Sequence, residues 1–184
     1  FDVEHAITAL RQLPGDCAWD AVSMHLYVDR RGAPENRQGA FDALSKFAFA
    51  RAVARCCPKR CRDELIVSEV NWPLRGTGVY SPVGAPWESP GERRTDPSVS
   101  EEDYADYLLR YLLLASCSGL VSQTVVWRLA AHGFGLVDDR DPAGWRRRPA
   151  FQALRVWNEM LAGGQFIRRL PVAGTDGRRV YPLE

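Results

Sequence analysis

No apolar run in this chain approaches the ~20 residues that a membrane-crossing helix requires. The longest, Tyr107 to Ser116, stops well short, so no membrane span is expected. No glycine-rich phosphate loop follows any strand-like run, which disfavours a doubly wound nucleotide protein. Excess charge of one sign is missing as well. A net charge of +1 leaves no electrostatic footprint for nucleic acid or an anionic membrane. Lysine is nearly absent, at Lys46 and Lys59 only, a matter of composition rather than of chemistry. The five cysteines follow no regular framework. Cys56, Cys57 and Cys61 cluster, but the two short ligand pairs and the nearby His of a zinc site are lacking. No metal and no cofactor are expected; reduced thiols in a cytoplasmic protein are the preferred reading. The chain opens on Phe1-Asp2-Val3-Glu4, with neither an initiator Met nor a signal-peptide pattern, and is expected to be an excerpt or a processed piece.

What is present reads as one α/β domain. Hydrophobic residues make up 46% of 184 positions, enough for an ordinary core. Val3, Ile7, Leu10 and Leu13 form a helical stripe that ends at Pro14-Gly15. Ala18 to Asp29 reads as a strand and Gly32 to Asn36 as a loop. Phe41 to about Arg55 is a second helix, and Glu64 to Val70 a second strand. Pro73 to Ser98 is a long Gly- and Pro-rich stretch, the length of a functional loop. Ser100 followed by Glu101-Glu102-Asp103 starts a third helix, with Tyr104, Tyr107, Leu108, Tyr111 and Leu112 on its inner face and Gly119 at its end. Leu120 to Leu129 is a third strand, and the Gly133-Phe134-Gly135 and Asp138 to Gly144 segments are loop. Arg146-Arg147-Arg148 reads as a solvated approach to a last helix, which Pro149 opens and Gly163-Gly164 ends. Gln165 to Glu184 reads as a short β tail with a Gly-Thr-Asp-Gly turn.

Strict alternation of helix and strand predicts a parallel sheet with helical crossovers. The polar and aromatic residues fall in one place along it. His25-Leu26-Tyr27, then Glu69 with Asn71-Trp72, then Trp127 all close their strands at the carboxyl end, the pattern of a barrel mouth. An unpaired buried charge is costly, so Glu69 needs a partner or a function.

At these residues the sequence resembles the retaining glycoside hydrolases of clan A, the barrel superfamily of cellulases, β-glycosidases and xylosidases. The resemblance covers Phe1 to Gly163. It implies a partial (β/α)8 TIM barrel, about strands six to eight with their helices, followed by a β-rich segment over residues 164–184. It implies that Glu69 is the nucleophile ending the seventh strand, that His25 and Tyr27 are the His-x-Tyr ending the sixth, and that Trp127 ends the eighth and floors the sugar subsite. Retaining hydrolysis then needs a second carboxyl group about 5 Å from the first. A Tyr27 hydroxyl can orient Glu69; Trp127, Trp72 and Trp87 can stack on sugar rings; His25, Asn71 and His132 can hydrogen-bond hydroxyls.

The departure is as informative. The family's acid/base sits in an Asn-Glu pair on the fourth strand, and Glu35, Glu88, Glu101 and Glu102 do not occupy that context. The expected partners are therefore a glycoside or oligosaccharide substrate and the missing N-terminal half of the barrel, and the isolated chain is expected not to turn over substrate. The rival reading from another class is a non-catalytic carbohydrate-binding or scaffold protein derived from such a barrel.

Overall fold

A computed structural model describes residues 3–14, 19–28, 32–35, 42–56, 64–77 and 98–167 of the chain. Their order is α1 (Val3–Gln12), β1 (Val22–His25), α2 (Ala43–Arg55), β2 (Leu65–Val70), α3 (Glu101–Ser118), β3 (Gln123–Val126), β4 (Val137–Asp138), β5 (Arg146–Arg147) and α4 (Pro149–Leu161). The β tail expected beyond residue 167, the Cys57 and Cys61 positions, and Trp87 and Glu88 lie outside the described residues.

Local chemistry sets the helix ends. The Asp42 carboxylate accepts from the Ser45 N–H (2.8 Å) at the start of α2. The Ser100 hydroxyl accepts from the Asp103 N–H (3.0 Å) at the start of α3, where three acidic residues meet the positive dipole end. Gly119 stops α3 at φ 67°, a left-handed conformation that a side chain would resist.

Strands β1, β2 and β3 form one parallel sheet in chain order. Because parallel crossovers are right-handed, strands added always on the same side place their helices on the same face. The packing agrees: α1 lies against α2, α2 against α3, and α3 against α4. That layer covers Leu65, Val67 and Val70, with Phe47, Ala50, Tyr104, Leu108 and Tyr111 joining them in the core. The opposite face is open at Ser23, His25, Gln123 and Val125 and only half-buried at Ile66, Ser68 and Glu69. Ile66, apolar like its neighbours Leu65 and Val67, belongs to this second face.

The strands are shorter than their apolar runs suggest. Leu26 and Val28 are buried beyond the end of β1, but a strand lasts only while its ladder does. A small antiparallel pair follows β3, with Val137 opposite Arg147 and Asp138 opposite Arg146, in place of the loop expected at Asp138 and the helix approach expected at Arg146-Arg147. Two-residue strands leave no periodic trace in a sequence.

Candidate active site

The site is built by one extra residue in β2. In the β1 ladder Met24 pairs with Val67 but His25 pairs with Glu69, so Ser68 is skipped. Against β3, Val67 pairs with Thr124 and Val70 with Val126, three steps on one strand against two on the other. Both registers place a bulge at Ser68-Glu69. Strict alternation from Leu65 and Val67 would turn Glu69 into the helix-covered core and Val70 out of it. The bulge reverses this: Val70 is buried, and Glu69 stands on the open face with its side chain 20% exposed.

Glu69 meets His25 there, with Oε2 3.5 Å from Nδ1, and the His25 side chain is 59% exposed. The Tyr27 ring stands edge-on to His25, centroids 6.2 Å apart, and the Tyr27 carbonyl accepts from the Lys46 ammonium (2.7 Å). From β3, the Trp127 N–H donates to the Val70 carbonyl (3.0 Å), which fixes that residue beside the end of β2. Its indole is 41% exposed, and the Trp127–Arg128 peptide is cis. His25, Tyr27, Glu69 and Trp127 therefore share one rim. Asn71, the residue after the last of β2, is buried.

Two expectations need correction. Trp72 is not a sugar platform: it is 0% exposed, with its indole packed against Tyr104, Tyr107 and Tyr111 at 5.9, 6.2 and 6.0 Å. The bulge that turns Glu69 outward is also the cause here, since Val70 and Trp72 follow it onto the core face. The Trp72 N–H holds the Gly32 carbonyl (3.0 Å), so the residue pins the loop after β1. Arg148 is not solvated: it is fully buried.

Arg148 is what sequence reasoning missed. Its Nε donates to Glu101 (3.0 Å), one terminal nitrogen to the Ala131 and Gly135 carbonyls (2.8 and 2.7 Å), and the other to the His132 carbonyl (2.6 Å) while standing 3.2 Å from Asp138. Four of its five N–H groups make hydrogen bonds, and the Asp138 carboxylate lies at ion-pair distance from the fork. His132 belongs to this clamped loop. Its ring is half-exposed, Nδ1 lying 3.8 Å from an Asp139 oxygen rather than at the His25–Glu69 pair. The surrounding arginines act on the acids. Hydrogen bonding from Arg140 holds the Asp138 carboxyl well below the usual range against the opposing effect of burial. Arg146 first, then Arg148, lowers Glu101.

The aromatic stripe of α3 also serves the rim. Tyr111 donates to the Leu26 carbonyl (2.7 Å), next to His25, and Tyr104 to the Phe134 carbonyl (3.1 Å). Burial raises both phenols well above their ordinary value. Arg110 grips Glu35 with both arms of its fork, adding a second tie on the loop after β1. Among the described residues no group of three or more His, Cys, Asp or Glu side chains is arranged to hold a metal ion. No described helix is long and apolar enough to cross a membrane. Compared with family models, curated proteins and solved structures, the chain finds no match.

Proposed function

We propose that this chain is the carboxyl-terminal part of a (β/α)8-barrel glycosidase, acting with retention through Glu69. The observation that carries the reading is the β2 bulge, which delivers Glu69 to the open face beside His25. Two further features support it. Sequential strand order with the described helices layered on one side is the winding that a (β/α)8 barrel continues around its axis. A parallel sheet normally has both faces buried, and here the second carries His25, Glu69, Val125 and Trp127. That face becomes a barrel interior once the remaining strands, from a partner N-terminal half, close against it.

In this reading Glu69 attacks the anomeric carbon as the bond to the leaving oxygen breaks, giving a glycosyl ester that water then hydrolyses. The exposed Trp127 indole stacks on the sugar's C–H face, and His25 bonds a hydroxyl while holding the carboxylate. The proton for the leaving oxygen comes from a carboxylic acid on the other half of the barrel, so the chain alone completes no cycle on an ordinary glycoside.

A 2-deoxy-2-fluoro-β-glycoside with a dinitrophenyl leaving group tests the nucleophile without that acid, because the phenolate departs unprotonated. The expected result is a mass gain of one fluorosugar on the peptide containing Glu69, absent from Glu69→Gln. Reversible binding of these sugars without covalent capture would instead support a non-catalytic carbohydrate-binding protein.

A further inference from the structure

Building on the glycosidase reading, we infer that the sugar beside Trp127 bears a carboxylate, as in a β-linked uronic acid, and that Arg128 recognises it. The Arg128 guanidinium carbon lies 5.8 Å from the Trp127 ring centroid and 5.9 Å from that of Phe134, and its Nε donates to the Ala130 carbonyl (3.0 Å). Two rings and one hydrogen bond hold the group in place, although the residue is exposed. The two terminal nitrogens, with four N–H groups between them, have no acceptor among the described residues.

Other arginines around the described fold are committed. Arg110 pairs with Glu35 and Asp106, Arg140 with Asp138, Arg146 with Glu101, and Arg155 with Glu159. Arg148 is buried against Glu101, Asp138 and three carbonyls. Arg128 alone of these six keeps an ordered fork turned to solvent, beside the exposed indole and one strand end away from Glu69. A rigid guanidinium fork matches a carboxylate through two parallel hydrogen bonds, and little ordering entropy remains to be lost.

The geometry of the sugar fits that arrangement. A uronic acid carries its carboxylate at the ring's periphery, next to the ring oxygen. Its C–H face can lie on the exposed indole while the carboxylate reaches the guanidinium held 5.8 Å from that ring's centroid. The negative Glu69 repels such a substrate, and a cation on the Trp127 side offsets that repulsion. A neutral hexose would leave the fork to water.

The test uses four probes: dinitrophenyl 2-deoxy-2-fluoro-β-glucuronide and β-galacturonide, with the matching β-glucoside and β-galactoside. Rates of Glu69 labelling are read by intact mass against time on the chain, on Arg128→Gln and on Arg128→Lys, with thermal melts establishing that both variants are folded. We expect an acidic probe to label about tenfold faster than its neutral counterpart or more. Arg128→Gln should erase that preference, and Arg128→Lys, which keeps the charge without the fork, should retain part of it. Neutral and acidic probes labelling equally fast, or a preference that survives in Arg128→Gln, overturns the carboxylate assignment and leaves the glycosidase reading standing. No labelling of Glu69 by any of the four overturns both.

Discussion

Two ion-pair regions lie close along the carboxyl edge of this sheet, and they are built on opposite principles. At Arg148 a guanidinium is fully buried, its donors bond one carboxylate and three carbonyls with a second carboxylate 3.2 Å away, and the acids around it are held ionised by neighbouring arginines. At Glu69 one carboxylate meets one imidazole at 3.5 Å, and both remain partly open to solvent. Burying charge is tolerable only when its hydrogen bonds are complete, so the first arrangement is a structural bolt. Among the described residues the second leaves carboxylate lone pairs uncommitted, as the nucleophile proposed above requires. The same contrast separates Arg148 from Arg128.

The largest expected effect tests the bolt. Arg148→Met strips Glu101, Asp138 and three carbonyls of a partner at once and should cost about 3–5 kcal/mol in urea unfolding. Glu69→Gln, which removes the other region's charge, should change stability by less than about 1 kcal/mol. Comparable losses in the two variants would erase the distinction. A pair of indoles offers the next comparison. Trp72→Ala opens a hole among three tyrosines and should cost about 3–5 kcal/mol. Trp127→Ala, at a 41% exposed position, should cost less than about 1 kcal/mol while slowing sugar capture at Glu69.

How far these roles can be read from the sequence depends on the range of the physics involved. The helices and the parallel sheet are local: the 3.6-residue stripes, the Ser100 cap and Gly119 announce them. The convergence of His25, Tyr27, Glu69 and Trp127 follows from strand ends meeting at one edge. Which way each side chain turns is a different matter. One inserted residue at Ser68-Glu69 decides it, and no residue type there signals a bulge, so Trp72 reads as a second platform when it is core. Arg148 is hidden for a similar reason: three consecutive arginines look alike until β5 pairs with β4 and turns one of them under the loop.

Acid should separate the regions with a smaller effect. A carboxyl whose folded pKa is depressed contributes stability above its unfolded value, about 3.9 for Asp and 4.3 for Glu. The contribution is lost as pH falls through the lower folded value, because the folded state must then protonate against its arginines. Asp138 and Glu101 are both lowered in this way. The melting temperature should therefore fall steeply below about pH 4, and the fall should be shallower in Asp138→Asn, whose folded state has one fewer carboxylate to protonate.

The smallest expected effect concerns the link between core and site. Tyr111 packs its ring against Phe47 and Trp72 and gives its buried hydroxyl to the Leu26 carbonyl, one residue beyond His25. Tyr111→Phe keeps the packing and leaves that carbonyl without its donor, a loss of about 1 kcal/mol. If the end of β1 is held mainly by its ladder to β2, labelling at Glu69 should hardly change, and faster amide exchange should be confined to the residues after His25. A marked loss of labelling in so conservative a variant would mean that the phenol holds the His25–Glu69 geometry. The loosely committed site would then depend on the core as directly as the Arg148 loop depends on its bolt.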